Sequence, residues 1–136
     1  MMQPKKINYK KIKKGKLSRM DFKANKLSFG EAGLKAAESG VIRSKQLEAA
    51  RQAISRKIRK KGKVWIRVFP DLPVTAKPSE SRMGGGKGAT SHWVARVKTG
   101  TIIFELICSD STVVDVALKT GGAKLPVKTK LCYINK

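Results

Sequence analysis

The chain has 136 residues, enough for one domain with a modest core, and carries 31 Lys plus Arg against 9 Asp plus Glu, a formal charge of +22. Charge of one sign at this density opposes compaction by self-repulsion, so the sequence points to a polyanionic partner, nucleic acid ahead of an anionic membrane surface. No apolar run is long enough to span a bilayer, no cysteines stand in metal-site spacing and the single histidine, His92, cannot complete a metal cluster.

Residues 1–23 hold nine basic residues and one acid, Asp21, with sparse apolar residues in no period. The segment reads as an extended tail, a solvated one or, better suited to the charge, an arm that orders on RNA through Lys5, Lys6, Lys10, Lys11, Lys13, Lys14, Lys16 and Arg19. It lacks the apolar core of a secretion signal, and Pro4 and Gly15 break the helix a mitochondrial presequence needs. A folded domain is expected over 24–136. Its first segment, KLSFGEAGLKAAESGVI (26–42), is glycine-dense and reads as one bent or bulged strand.

The pattern SKQLEAARQAISRKIRKK (44–61) predicts a helix. Ser44 is placed to cap it, Leu47, Ala50, Ile54 and Ile58 form one apolar stripe, and Gly62 supplies a stop. From Arg51 to Lys63 there are seven basic residues and no acid. Ordinary solvated helix faces mix signs, so this end is expected to face RNA, with Arg51, Arg56, Arg59 and Lys60 as contacts. KVWIRVFPD (63–71) alternates as a strand and adds Arg67, whereas PDLPVTAKPSE (70–80), with three prolines, reads as an irregular connection carrying Lys77. SHWVARVK (91–98) and TIIFELIC (101–108) are expected to form a hairpin about Thr99-Gly100. STVVDVALKTGGAK (111–124) reads as a helix weakened by valines and Gly121-Gly122, and KTKLCYIN (128–135) as a closing strand. The sum is an α+β single domain with a mixed or antiparallel sheet and two helices. Cys108 and Cys132 sit in apolar runs and are expected as buried thiols, without a disulfide.

The remaining stretch, SRMGGGKGATSHWVARV (81–97), sets glycines beside a lysine, as phosphate-binding loops do. A Walker loop needs a first glycine where Ser81 stands, a hydroxyl where Gly88 stands, and a helix after it; here a strand follows. A nucleotide site is therefore rejected. What remains is a protruding loop, 78–91, in which Arg82, Met83, Gly84, Gly86, Lys87 and Gly88 can approach a partner closely. Catalysis finds little support: no carboxylate is placed to orient His92 beside Ser91, and Asp110 and Asp115 do not share a helix face. No cofactor, metal or catalytic residue is expected.

WIRVFPDLPVTAKPSESRMGGGKG followed by SHWVARVKTGTIIFEL resembles the large-subunit ribosomal protein L-sixteen family, and MMQPKK with KKGK, LSFGEAGLKA, QLEAARQAISR and AKLPVKT match its other landmarks along nearly the whole chain. The resemblance implies a hammerhead-like α+β domain bound to large-subunit rRNA, near the aminoacyl-tRNA site and the peptidyl-transferase region. It also implies contact with tRNA in that site and with neighbouring large-subunit proteins, and no enzymatic activity. Loop residues Arg82, Met83, Gly84, Gly86, Lys87 and Gly88 would point at the functional centre, and Pro4, Lys5, Lys6, Lys14 and Gly15 would thread into RNA. Three departures stand out: Ile107-Cys108 where Asp-Gly is common, Thr120-Gly121-Gly122 where the second helix ends in alanines, and Gly85 at a loop position that is often basic in the family. Details of the loop look closest to mitochondrial and alphaproteobacterial forms, so a protein made inside a mitochondrion is expected first, a bacterial or plastid one next. The alternative from another class is a free basic nucleic-acid-binding protein such as an assembly factor.

Overall fold

The computed structural model describes residues 2–81 and 83–134. Among the described residues seven strands and two helices follow in the order β1 (Ala32–Ala36), β2 (Gly40–Arg43), α1 (Ser44–Ile58), β3 (Gly62–Ile66), β4 (Leu72–Ala76), β5 (Ala89–Val97), β6 (Ile102–Cys108), α2 (Ser111–Gly122) and β7 (Thr129–Tyr133). They form two antiparallel sheets, β3-β6-β1-β7 and β2-β5-β4. The expected α+β class with two helices and antiparallel pairing is what the chain adopts. Leu34, Ile42, Leu47, Ile54, Val97, Phe104, Leu106 and Leu118, all essentially inaccessible, fill the core between the helices and the sheets.

Three expectations about elements are corrected. The glycine-dense segment 26–42 is two strands: the chain turns at 37–39 and passes from one sheet to the other. Strands β5 and β6 do flank a tight turn, with Thr101 N–H donating to Lys98 O at 3.1 Å and Gly100 at φ 93°, but they do not pair. The turn sends the chain between sheets, because each strand takes its partners elsewhere, β5 from β2 and β4 and β6 from β3 and β1. The proline-rich connection contains β4, which is tolerated because β4 is an edge strand, paired only with β5, where the N–H that Pro73 lacks is least missed.

The two crossings lie side by side. Gly100 N–H donates to Ala36 O (2.8 Å), Ala36 N–H to Thr101 O (2.9 Å), and Thr99 N–H to Ser39 Oγ (3.1 Å). Asp21 seals this seam from the tail: its N–H donates to Thr99 O (2.9 Å), and its carboxylate accepts from Thr101 Oγ1 (2.8 Å) and from the N–H groups of Lys23 and Ala24.

Helix α1 also departs from the expected caps. Ser44 is the first helical residue and buried; Gln46 reaches back to accept the Arg43 N–H at 2.9 Å. The helix stops through Arg59 and Lys60, both left-handed at φ 50° and 66°, while Gly62 begins β3. Gly62 is required there for another reason, since a Cβ would lie 2.1 Å from Ile107 O. In α2 the paired glycines are packing sites: a Cβ on Gly121 would lie 2.5 Å from Ile54 Cγ1, and one on Gly122 2.6 Å from Thr129 Oγ1. The helix forms despite its valines because Asp110 caps it, accepting from Thr112 N–H at 3.1 Å, and because Val114, Ala117 and Leu118 are buried. Both cysteines are free and half-buried, and the strand at the C-terminus ends at Tyr133; Asn135, the last residue of the expected run, lies outside the described residues.

Candidate nucleic-acid interface

Strands β4 and β5 pair as a hairpin whose loop, residues 77–88, is the glycine-lysine stretch. The loop is pinched at its root, where a Cβ on Gly88 would lie 2.4 Å from Ala76 O, so only glycine fits. Gly84, Gly85 and Gly86 have open space around them, and Met83 is wholly exposed. Lys77 Nζ donates to Gly84 O at 2.8 Å and ties the base to the tip. Arg82 lies outside the described residues.

The tail has neither helix nor strand, but it is not a free arm. It runs along β5 and is held through its carbonyls: Thr90 Oγ1 donates to Lys10 O (3.2 Å), Lys87 Nζ to Ile12 O (3.1 Å) and Arg96 Nη1 to Lys14 O (2.8 Å). Lys11 Nζ returns a bond to Lys87 O at 2.9 Å. No period in the tail announces this, because the docking uses backbone acceptors that every residue carries. Tail and loop, named separately from sequence, are thus one continuous surface. Lys5, Lys6, Lys10, Lys11, Lys13, Lys14, Lys16 and Arg19 are all exposed on it. His92 sits half-buried beneath; burial, then the positive charges of Arg43 and Lys14, hold its imidazole below the usual range. Its Nδ1 lies 3.4 Å from Ser91 Oγ with cations, not a carboxylate, around the ring.

A second cationic cluster stands at the end of α1. The left-handed pair Arg59-Lys60 turns the chain so that Arg56, Arg59, Lys60, Lys61 and Lys63 are all exposed. Arg56, Arg59 and Lys61 line a groove with Thr112 and Val113 at the start of α2. Arg51, assigned to the same surface from sequence, is engaged with Glu48 in an i,i+3 pair.

Arg67 is also committed internally. Its guanidinium meets the carboxylate of Glu105, which is fully buried on the outer face of the four-stranded sheet. The same carboxylate accepts the N–H groups of Ser28 (3.1 Å), Phe29 (2.6 Å) and Gly30 (2.7 Å). Burial alone would push the Glu105 carboxyl up; the N–H donors of Gly30 and Phe29, then Arg67 and Ser28, outweigh it and hold the group below its ordinary value. Gly30 is needed for the approach, since a Cβ would lie 2.8 Å from the Leu106 backbone. Sequence reading missed Glu105. The signal was there: a lone acid inside the apolar run TIIFELIC must be paired if that strand is buried.

Among the described residues no group of three or more His, Cys, Asp or Glu converges as a metal site, and no helix is long and apolar enough to cross a membrane. A small, strongly basic α+β domain with its cations on a strapped tail, a hairpin loop and a helix end is of the class built into ribonucleoprotein particles. Comparison with known sequences narrows that class: the model of the family described as Ribosomal protein L16p/L10e matches residues 4–132, and the chain belongs to that family. It is 50% identical over 129 residues to the large ribosomal subunit protein uL16 of Borreliella afzelii (strain PKo), covering 95% of this chain and 94% of that one. It is 48% identical over 129 residues to uL16 of Borrelia hermsii (strain HS1 / DAH), with the same coverage. It is 50% identical over 131 residues to uL16 of Methylorubrum extorquens (strain PA1), covering 96% of each chain. The relatives named here are bacterial; none of them supports the mitochondrial origin expected from the loop.

Proposed function

We propose that this protein is a structural constituent of the large ribosomal subunit that binds large-subunit rRNA near the aminoacyl-tRNA site and the peptidyl-transferase region, where it helps place tRNA and catalyses nothing itself. The observation that carries the reading is the joining of tail and hairpin loop into one cationic surface by the Lys11–Lys87 and Lys87–Ile12 bonds, in a chain whose relatives are large-subunit proteins along their whole length. Phosphates are met by the lysines, and the open glycines of the loop let its backbone come close to RNA. The partners are rRNA, aminoacyl-site tRNA and adjoining large-subunit proteins. The bacterial relatives favour a bacterial cytoplasmic ribosome over the organelle-made form.

The test is cosedimentation followed by a loop variant. The protein should travel with large subunits at one copy each and leave only at high salt; substoichiometric travel confined to precursor particles would instead identify a free assembly factor. Arg82→Ala with Lys87→Ala should leave the protein in the subunit while slowing accommodation of aminoacyl-tRNA, whereas normal accommodation would remove the loop from the functional centre.

A further inference from the structure

The outer face of the four-stranded sheet carries an arrangement that neither the tail nor the loop explains. Lys63, Trp65 and Arg67 project from β3 and the residues after it on the side opposite Val64 and Ile66, which pack on the core. Phe29, from the segment that covers Glu105, stacks on Trp65 with ring centroids 6.1 Å apart and planes 24° from parallel. Lys63 Nζ lies 5.3 Å from the Trp65 centroid, and Arg67 Cζ lies 5.3 Å from that of Phe29. The result is a cation–ring–ring–cation row at the free edge of the sheet, since β3 has β6 on one side only.

Two properties set this row apart from core packing. First, it is open: Phe29 is 58% exposed, Trp65 is half-buried, and Ile107, opposite Lys63 on β6, is 38% exposed. Second, it is anchored at one end through backbone and guanidinium. The Phe29 N–H is one of the donors to the buried Glu105 carboxylate, and Arg67 is fixed by the same group. A phenylalanine held out in solvent by a buried charge gains little for the fold. It does gain for binding, because a segment whose backbone is already anchored has less to lose in entropy when a partner arrives.

We propose that the Trp65–Phe29 row is a stacking platform for an unpaired RNA base, with Lys63 meeting the phosphate of the same nucleotide. This rests on the RNA-binding reading above and adds a kind of contact that phosphate neutralisation does not supply. In the free protein the flexible Lys63 ammonium lies over the Trp65 ring; a nucleobase stacking there takes its place and moves the ammonium onto the phosphate of the same nucleotide, so ring and cation meet the two halves of one ligand. An apolar protein partner would leave the exposed Lys63 ammonium facing apolar surface, which charge complementarity disfavours.

The experiment uses the full chain carrying Trp93→Phe, so that Trp65 is the only indole. Titration with a short single-stranded oligoribonucleotide should quench Trp65 emission, and inorganic polyphosphate of equal charge should bind without quenching. Trp65→Leu keeps apolar bulk and removes the indole; it should weaken oligonucleotide binding about 5- to 150-fold, the range for losing one stacked base, and leave polyphosphate binding unchanged. Lys63→Ala should lower the salt dependence by the equivalent of about one phosphate. If Trp65→Leu, folded by circular dichroism, binds RNA as wild type does and RNA leaves Trp65 emission unchanged, the platform is not a base site, while strong salt-dependent binding would leave the RNA-binding reading standing. If the full chain binds neither polyanion, both readings fall.

Discussion

Glu105 shows how one side chain can organise a surface it never reaches. Its carboxylate is inaccessible, yet it positions Ser28, Phe29, Gly30 and Arg67. Glu105→Gln preserves shape and removes the charge, leaving the Arg67 guanidinium with a neutral partner and exchanging acceptor capacity for an unneeded donor. We expect a loss of about 3 kcal/mol at neutral pH, measured by urea unfolding. The pH dependence has a definite sign. The folded-state value lies below the ordinary one, so the carboxylate's contribution is complete above the unfolded value of about 4.3 and is lost as pH falls through the depressed folded value. The gap between wild type and Glu105→Gln should therefore be widest at neutral pH and close in acid. A gap that stayed constant down to pH 2 would mean that charge is not what the site uses.

Elements were read well where a single chain period decides them and poorly where partners from elsewhere decide them. The stripe Leu47, Ala50, Ile54, Ile58 announced α1, alternation announced β3, and the runs on either side of Thr99-Gly100 announced β5 and β6. Which strands pair was not legible, because β5 and β6 are adjacent in sequence and satisfied by different sheets. The tail's docking was hidden for the same reason, while its cations were plain. The basic end of α1 was legible as charge but not as conformation: two cations occupy the left-handed positions where glycine is the usual choice. Lys60→Gly should relieve that backbone cost and raise stability by up to about 1 kcal/mol, while lowering the salt slope of RNA binding by somewhat under one unit. Thermal melting and binding on the same variant check both halves, and a variant that melts lower would show that the turn prefers lysine for structural reasons.

The helix–helix contact makes a second case at this scale. Ile54→Ala should cost about 2–5 kcal/mol through the cavity it leaves. Gly121→Ala alone should destabilise, by about 1–3 kcal/mol less the gain of about 1 kcal/mol in helix propensity, since its Cβ runs into Ile54. In the Ile54→Ala background the obstruction is gone, and Gly121→Ala should become neutral or stabilising. Additive values in this double-mutant cycle would place the two side chains out of contact.

For the molecule as a whole, charge is the dominant variable. At +22, folding and binding should respond to salt in opposite directions. Added salt screens the self-repulsion of the free protein and should raise its melting temperature. It should also weaken rRNA-fragment binding with a log–log slope on the order of −0.7 to −0.9 per phosphate neutralised. Removal of residues 1–16 should flatten that slope while sparing the seam sealed by Asp21. A slope unaffected by the truncation would take the tail out of the interface.

The placement of β1 has a consequence for the chain while it is being made. Strand β1 is hydrogen-bonded on one side to β6 and on the other to β7, both beyond residue 101, and the Asp21 seam closes on Thr99 and Thr101. The N-terminal third therefore emerges during translation with no sheet partner yet in existence; α1 alone can form from local contacts. Until β6 leaves the exit tunnel, β1 has no sheet partner and sits between two strongly basic segments. Like charge on identical copies opposes their association, so in the interval before the fold can close the basic flanks should keep β1 of one chain from pairing with β1 of another.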